Sequence, residues 1–404
     1  MSLTASTTAP ALATALPKHV LLYTDDPSAG GVAQYNHSVL VGLVKAGYRV
    51  SCMQSEGASP LIDEQRGLGV KHHWINYHTG REFAKSLDDA SAAERLYAED
   101  RPDLVIFSDC SPVSNMAARE AALRHGVPYI CVIGFVGAYL AKNFAAKLDV
   151  VARHYHAARA VIAVSEDNLA LLHRHFRLPA DRGQVIHYGR PASYFSPQNT
   201  DVRARLRAEL NLPADAVVCF TAARLTQVKR FDLQLHAIKI LHNNPLGKSL
   251  HFVWAGEGDQ RGALVEAVER IGLKSCIHIL GHRWDIADWH DAADVFLLPS
   301  EIEGMPLAIM EAMAKGLPVI ATSISGIPEE LGDTGKLLPH PTADAVGVVR
   351  GIVETLAKWA NDPVARKAEG RRCRARAELM FREELMLKRT MSVVACALNE
   401  QKME

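Results

Sequence analysis

The stretch EGMPLAIMEAMAKGLPVIATSISGIPEEL, residues 303–331, decides the fold and points to the site. Two glutamates, Glu303 and Glu311, bracket an apolar run, and Gly304 and Pro306 stand at its head. On an α-helix, eight residues place Glu311 roughly 80° around the axis from Glu303 and about 12 Å along it. The spacing therefore predicts that Glu303 lies at a loop–helix junction and Glu311 inside the helix, both bordering one cleft.

Length and composition bound the class of protein. A chain of 404 residues exceeds what one hydrophobic core usually supports, so we expect two domains. Apolar residues make up 48% of the chain and charged residues 22%, which is typical of a soluble globular protein. The formal net charge of zero gives no overall field that would attract nucleic acid or an anionic membrane.

Three further features predict the compartment. The 7 cysteines are scattered without a C-x-x-C pair, which favours a reducing, cytoplasmic compartment. Residues 1–17 are rich in Ala and Thr, lack a basic segment and predict a disordered tail rather than a signal peptide. The sequence has no uninterrupted apolar run of the length that a spanning helix requires.

Short aliphatic runs alternate with helical patterns along most of the chain. The predicted strands are 19–24, 48–53, 103–108, 128–133 and 159–165 in the first half, and 217–223, 250–256, 277–281, 295–300 and 318–322 in the second. A helix is predicted at 32–47, a linker at 191–200, and one or two final helices at 368–398. This alternation predicts an α/β protein with two parallel sheets, each covered by helices, and a cleft between the halves.

The quoted segment places a helix N-terminus directly after a predicted strand. Its backbone N–H groups and positive dipole end suit an anion, and Glu311, deeper in the helix, could accept hydrogen bonds from hydroxyls. Pro306 suits the first helical turn. The arrangement fits a nucleotide, with phosphates at the helix end and ribose at Glu311. An amphipathic helix with one solvated glutamate explains the spacing equally well.

Arg224 and Lys229 lie five residues apart in a predicted loop that follows strand 217–223. Two cations there could neutralise a diphosphate leaving group without a metal. Mg²⁺ normally needs carboxylates beside the phosphates, and the chain has no D-x-D triplet. Taken alone, two solvated loop charges remain the commoner explanation of such a pair.

Three segments, ARLTQVKRFD (223–232), WAGEGD (254–259) and residues 281–331, resemble the donor half of retaining GT-B glycosyltransferases of family 4. The segment DDPSAGGVAQYNHSVLVGLVKAGYRV, residues 25–50, is more weakly similar to the first loop and helix of that family. The resemblance implies the GT-B fold, in which two Rossmann-like domains face each other across a cleft. The implied divisions are an acceptor-binding domain at 18–195, a donor-binding domain at 196–375, and a helix at 376–404 that returns to the first domain.

The resemblance also implies roles for individual residues. Arg224, Lys229 and Glu303 match the family's catalytic positions. The other implied contacts with the nucleotide-sugar donor are Gly30, Gly31, Arg283, Gly304, Met305, Pro306, Leu307 and Glu311. No cofactor and no metal are implied.

The sequence departs from the family pattern in two places. Members often carry a histidine after a strand of the first domain, where this chain has Ile133 and Gly134. Asp109, on a neighbouring strand end, could orient an acceptor hydroxyl, although a helix-capping role is the commoner one for such an aspartate. The usual Asn-Gly-Val-Asp before the linker is here residues 188–191, YGRP.

The implied activity is transfer of a sugar from a UDP- or GDP-sugar to an acceptor hydroxyl, with retention of the anomeric configuration. The expected acceptor is a glycan or a lipid-linked saccharide of polysaccharide or cell-envelope biosynthesis, and a peripheral contact with the inner face of the membrane stays open. The alternatives are a nucleotide-sugar epimerase, a phosphorylase, or a non-catalytic nucleotide-sugar-binding protein. We interpret the histidines at 72–73, 154–156 and 173–175 as surface residues rather than metal ligands.

Overall fold

The computed structural model describes residues 16–25, 30–57, 59–79 and 81–399. Only the last two residues of the expected disordered tail fall within these ranges. The strands of the described part are β1 (His19–Thr24), β2 (Arg49–Ser55), β3 (Lys71–Ile75), β4 (Leu104–Asp109), β5 (Tyr129–Ile133), β6 (Ala160–Ala163), β7 (Gln184–Val185), β8 (Val217–Ala222), β9 (Leu250–Ala255), β10 (Ile277–Gly281), β11 (Val295–Leu298), β12 (Val319–Thr322) and β13 (Lys336–Leu338).

Helices follow most of the strands. They are α1 (Gly31–Lys45), α2 (Pro60–Gly67), α3 (Phe83–Asp88), α4 (Ser91–Glu99), α5 (Met116–Arg124), α6 (Ala138–Asn143), α7 (Leu148–Ala157), α8 (Glu166–Phe176), α9 (Thr200–Glu209), α10 (Phe231–His242), α11 (Arg261–Arg270), α12 (Ile286–Ala292), α13 (Leu307–Ala314), α14 (Ile327–Leu331), α15 (Ala345–Asn361), α16 (Pro363–Met380) and α17 (Glu383–Asn399).

The strands form two parallel sheets. The order is β3-β2-β1-β4-β5-β6-β7 in the first sheet and β10-β9-β8-β11-β12-β13 in the second. In each sheet the chain starts in the middle, runs to one edge, and then crosses back to continue on the other side. The crossover lies between β1 and β4 in the first sheet and between β8 and β11 in the second. Ligands of open parallel sheets bind at the carboxyl ends of the strands beside such a crossover.

Alternation of side chains explains why both faces of each sheet are covered. Val20 and Leu22 of β1 belong to one apolar cluster, whereas Leu21 and Tyr23 belong to another on the opposite face. Successive side chains of a strand point to opposite faces, so a strand that is apolar throughout needs helices on both. The run HVLLYT is buried at all of its positions, which confirms the α/β prediction.

Three strands were missed by the sequence analysis. β3 is an edge strand whose polar residues include His72 and His73, and its pairing to β2 along one side is enough to hold it. β7 and β13 are only two and three residues long. One interpretation of the histidines was also wrong: His154 is fully buried, with its Nε2 atom 3.0 Å from Glu120 Oε2.

The final helix crosses back to the first half of the molecule. α17 packs along α1, where the Ser38 hydroxyl contacts the Glu383 carboxylate and a Cβ atom on Gly42 would lie 3.0 Å from Leu387 Cδ2. Helix 363–380 ends on the second half before this crossing. The exact domain limits at 195 and 375 stay predictions. Within the described residues no helix is long and apolar enough to cross a membrane.

Candidate functional site

The crossover of the second sheet brings two predicted segments together. The loop after β8 carries Lys229 and the loop after β11 carries Glu303, and β8 and β11 are neighbouring strands. The Glu301 N–H donates to the Val228 carbonyl at 2.7 Å, which fixes one loop against the other. The Lys229 ammonium and the Glu303 carboxylate form an ion pair whose side chains are 13% and 10% exposed. The pair is thus close to the surface but largely shielded from water.

Two glycines let the loop after β9 support this arrangement. A Cβ atom on Gly256 would lie 1.9 Å from the Ala223 carbonyl oxygen, and one on Gly258 would lie 2.2 Å from that of Leu225. No side chain fits at either position, because the backbone of the WAGEGD motif packs directly against the loop that carries Arg224. Arg224 itself is exposed.

Two helix N-termini face each other between the halves. A Cβ atom on Gly31, the first residue of α1, would lie 3.5 Å from Leu307 Cγ, and Leu307 is the first residue of α13. Gly30 is the N-cap residue of α1. Pro306 precedes the first helical residue as N-cap, with φ −73° and ψ 114°, so its predicted place in the first turn was one residue off. Both helices direct their positive dipole ends toward this gap.

Gly304 is one of the points where the two halves touch. A Cβ atom on Gly304 would lie 2.1 Å from the carbonyl oxygen of Gly134. Gly134 follows β5, at the place where the sequence analysis noted no histidine. The Gly326 N–H donates to the Gly304 carbonyl at 3.0 Å, which holds the loop from its other side. Met305, next along the loop, is buried.

Glu311 is buried and paired. Its Oε1 atom lies 2.9 Å from Arg190 Nη2, and the two side chains are 6% and 4% exposed. Burial raises the pKa of Glu311, while the Arg190 guanidinium and a hydrogen bond with Tyr194 oppose the rise. In the sequence, Arg190 stands out only as part of a departure from the family motif, and no role was predicted for it.

Arg283 is engaged by carboxylates of its own half. Its guanidinium donates to both Asp285 oxygens at 2.8 and 2.6 Å, and Nη1 lies 3.4 Å from Glu209. These partners raise its pKa, with the Asp285 hydrogen bond as the largest cause. The neighbouring Trp284 is 66% exposed, and its ring centroid lies 4.6 Å from that of His282. A contact between Arg283 and a nucleotide stays a prediction.

Asp109 lies at the carboxyl end of β4, and its side chain is fully shielded from solvent. Its oxygens accept hydrogen bonds from Asn115 Nδ2 at 2.7 Å and from the fully buried Arg119. Burial raises the pKa of Asp109 to about 7, although Arg119 counteracts it. That Asp109 could orient an acceptor hydroxyl stays a prediction; its side chain is 0% exposed, and both carboxylate oxygens already have partners.

A further contact between the halves was not anticipated. His187 Nε2 lies 2.5 Å from Glu329 Oε1, and the Glu166 N–H donates to the other Glu329 oxygen at 2.8 Å. Glu329 stands in the quoted PEEL sequence, but nothing in its spacing identifies a partner so distant in the chain. Within the described residues, no group of three or more His, Cys, Asp or Glu side chains has the arrangement of a metal site.

Family models match both halves of the chain. The model described as Glycosyltransferase Family 4 matches residues 29–194, and the model described as Glycosyl transferases group 1 matches residues 216–358. The two matches leave only a short segment around the linker between them. The chain belongs to this family of glycosyltransferases, and its two facing α/β halves are the GT-B fold.

Curated relatives agree in class and differ in the processes they serve. The chain is 32% identical over 200 residues to a D-inositol 3-phosphate glycosyltransferase of Streptomyces bingchenggensis, covering 46% of this chain and 44% of that protein. It is 26% identical over 318 residues to the putative colanic acid biosynthesis glycosyltransferase WcaL of Salmonella typhimurium, covering 70% and 77%. The alignments to the first relatives span about half of each relative's length.

Solved structures share the fold over nearly the whole chain. The crystal structure of HepE from Anabaena in complex with UDP has a TM-score of 0.76 and 17% identity, covering 94% of this chain and 99% of that one. The structure of WaaG, a glycosyltransferase involved in lipopolysaccharide biosynthesis, has a TM-score of 0.70 and 17% identity, covering 93% and 99%. At such identities the likeness shows the fold alone.

Proposed function

We propose that this protein is a retaining glycosyltransferase that moves a sugar from a nucleotide-sugar to an acceptor hydroxyl. One observation carries the proposal: the N-termini of α1 and α13 face each other at Gly31 and Leu307, beside the Lys229–Glu303 pair. Backbone N–H groups, two dipole ends and a cation thus converge where the second sheet reverses its strand order. A diphosphate is the ligand that such a gap suits best.

The chemistry follows from where negative charge develops. The bond between the anomeric carbon and the diphosphate oxygen breaks, and the diphosphate keeps the electron pair. Lys229, Arg224 and the two helix ends stabilise that charge, as fixed donors stabilise an oxyanion. The acceptor oxygen then bonds to the anomeric carbon from the side the diphosphate has left, and its proton passes to the departing phosphate oxygen. Retention of configuration results.

We assign Glu311 to the ribose and the loop from Gly304 to Leu307 to the phosphates and sugar. The donor is a UDP-sugar or a GDP-sugar. A UDP-sugar is the first to test, because HepE, of similar fold, was crystallised with UDP and with UDP-glucose. The proposed acceptor is a glycan or a lipid-linked saccharide, since relatives carry names from colanic acid and amylovoran biosynthesis.

A donor panel tests the proposal. Purified protein in EDTA is heated with UDP-, GDP- and ADP-sugars, and with the matching nucleosides as controls that lack the diphosphate. A donor at one hundred times its dissociation constant adds about 2.7 kcal/mol to the free energy of unfolding. We expect one nucleotide series to stabilise the protein and its nucleoside to do so far less.

The stabilising donor is then incubated with bacterial oligosaccharide and lipid-linked saccharide fractions. Release of nucleoside diphosphate that depends on one of these acceptors supports transfer. Product that forms without any acceptor would indicate an epimerase, and sugar phosphate formed from orthophosphate would indicate a phosphorylase. Binding of the whole series with no turnover in any fraction would favour a non-catalytic protein.

A further inference from the structure

The ion pair between Arg190 and Glu311 joins segments that are far apart in the chain. Arg190 precedes the linker, whereas Glu311 lies in the middle of α13 in the second half. The guanidinium also donates to Gln34 Oε1 of α1 at 2.6 Å. Both charged side chains are almost completely buried. A buried charge must be paired and hydrogen-bonded to be tolerated, so neither residue is an incidental surface contact.

The backbone of Arg190 is held where the last helix crosses between the halves. Its N–H donates to the Phe381 carbonyl at 2.7 Å, and its carbonyl accepts from the Glu383 N–H at 3.0 Å. The preceding Gly189 has no room for a side chain, because a Cβ atom there would lie 2.7 Å from Glu383 Cα. The Arg190 guanidinium also lies 4.7 Å from the centre of the Tyr194 ring. These contacts fix the arginine on several sides.

The consequence for Glu311 is electrostatic and geometric. In a buried site the neutral acid is favoured, and a guanidinium at 2.9 Å opposes this by stabilising the carboxylate. An ionised carboxylate accepts about four hydrogen bonds, so a pair with Arg190 and a bond with Tyr194 leave acceptor capacity for hydroxyl groups. Hydrogen bonds to a charged acceptor are the stronger ones.

We propose that Arg190 is a positioning residue for the nucleotide: it holds Glu311 ionised and aimed so that Glu311 recognises the ribose diol. The inference rests on the proposed function, which assigns the ribose to Glu311. Arg190 itself touches neither the sugar nor the diphosphate. Because its backbone is bound at the crossing of α17, ribose recognition is tied to the packing of the two halves at that crossing.

The test compares a nucleoside diphosphate with its 2′,3′-dideoxy analogue, using whichever of UDP, GDP or ADP binds the wild-type protein. Dissociation constants are measured by calorimetry for the wild type and for Arg190→Lys, Arg190→Met, Glu311→Gln and the double variant Arg190→Met/Glu311→Gln. Thermal unfolding of each variant checks that it is folded. The double variant leaves no unpaired charge in the interior, so it is the best tolerated of the charge-removing variants.

We expect the wild type to prefer the ribonucleotide by roughly tenfold or more, and Glu311→Gln to lose this preference. Arg190→Met should lose it as well, Arg190→Lys should keep part of it, and Arg190→Met should add little in the Glu311→Gln background. In turnover, Arg190→Met should raise KM for the donor more than it lowers kcat.

The outcomes separate this inference from the proposed function. If no nucleoside diphosphate binds the wild type, or if Glu311→Gln keeps the ribose preference, the ribose site is misassigned and both ideas fail. If Glu311→Gln loses the preference while Arg190→Met keeps it, only the role of Arg190 is overturned. Tighter nucleotide binding by Arg190→Met overturns it too, because Arg190 would then compete with the ribose for Glu311. If Arg190→Met does not fold, Arg190→Lys carries the comparison, and an unaltered preference in it contradicts the role.

Discussion

Each sheet has an ion pair near the carboxyl ends of its strands, and the two pairs differ in their surroundings. Asp109 and Arg119 of the first half are both 0% exposed, and the Asp109 oxygens are already satisfied inside that half. Lys229 and Glu303 of the second half are 13% and 10% exposed and border the gap between the halves. A fully buried ion pair contributes to the fold, whereas an ion pair that borders a gap is available to a ligand. Position at a strand end therefore does not by itself make a site.

The largest effect is expected on stability, from the fully buried Asp109–Arg119 pair. Asp109→Ala leaves the Arg119 charge buried and unpaired, so we expect it to lower the free energy of unfolding by about 3–5 kcal/mol. Urea denaturation measures this. Asp149→Ala is the matched control, because Asp149 pairs with Arg177 at the surface and its removal should barely move the midpoint. A small loss in Asp109→Ala, together with a large loss of transfer activity, would place Asp109 in the site after all.

The next largest effect is expected on turnover, from the Lys229–Glu303 pair that borders the gap. Lys229→Ala should lower kcat by roughly 10²-fold or more, comparable to removing one oxyanion donor. Lys239→Ala is the control, since Lys239 is an exposed lysine of the following helix α10. Steady-state kinetics with the donor found in the panel measures both variants. Near-normal turnover in Lys229→Ala would remove Lys229 from the mechanism.

Arg224→Ala should also lower turnover by roughly 10²-fold. Arg224 is exposed, so its removal leaves no unpaired buried charge and the protein should remain folded. The same kinetic assay measures the effect, and thermal unfolding serves as the check on structure. Loss of activity with an unchanged unfolding temperature supports the role, and an unchanged rate contradicts it.

The smallest predicted effect is a pH dependence of the free energy of unfolding, caused by His290, a fully buried residue of the second half. Burial lowers the pKa of His290 to about 3, and its neutral ring lies 5.2 Å from the Phe220 ring. The unfolded histidine titrates near its usual 6.5, so stability is present above pH 6.5 and is lost as the pH falls below it. Between pH 6.5 and 5.5 the loss should be about 1.0 kcal/mol, and below pH 5.5 the slope approaches about 1.4 kcal/mol per pH unit.

Urea denaturation at several pH values measures this slope, and His290→Phe should reduce it by the share that His290 contributes. The window is chosen because few carboxylates titrate within it. A slope that is the same in the wild type and in His290→Phe would show that His290 does not carry the pH dependence.

Sequence reasoning was most reliable where a rule is local. The run VFLLPS predicted a strand, and VFLL is β11, because a short buried apolar run after turn residues has few other uses. The helix predicted at 32–47 ends at Gly47, which has φ +85°, a backbone conformation in which glycine is favoured. β3 was missed because its edge position tolerates polar residues such as His72 and His73.

The site was harder to predict where it depends on distant segments. Glu303 and Lys229 were each identified by motif, but their pairing follows from β8 and β11 being neighbours, which no spacing in the sequence states. Arg190 lies 121 positions before Glu311, and its role depends on the crossing of α17. A departure from a family motif was the only signal that marked it.

In the proposed site a diphosphate binds between the halves, held by side-chain cations and helix ends rather than by a metal. Titration calorimetry of the nucleoside diphosphate into the wild type and Lys229→Ala, in EDTA and again with Mg²⁺, tests this binding mode. We expect equal binding by the wild type in both buffers and binding at least tenfold weaker in Lys229→Ala. Binding that requires Mg²⁺, or equal affinity in the two proteins, would contradict it.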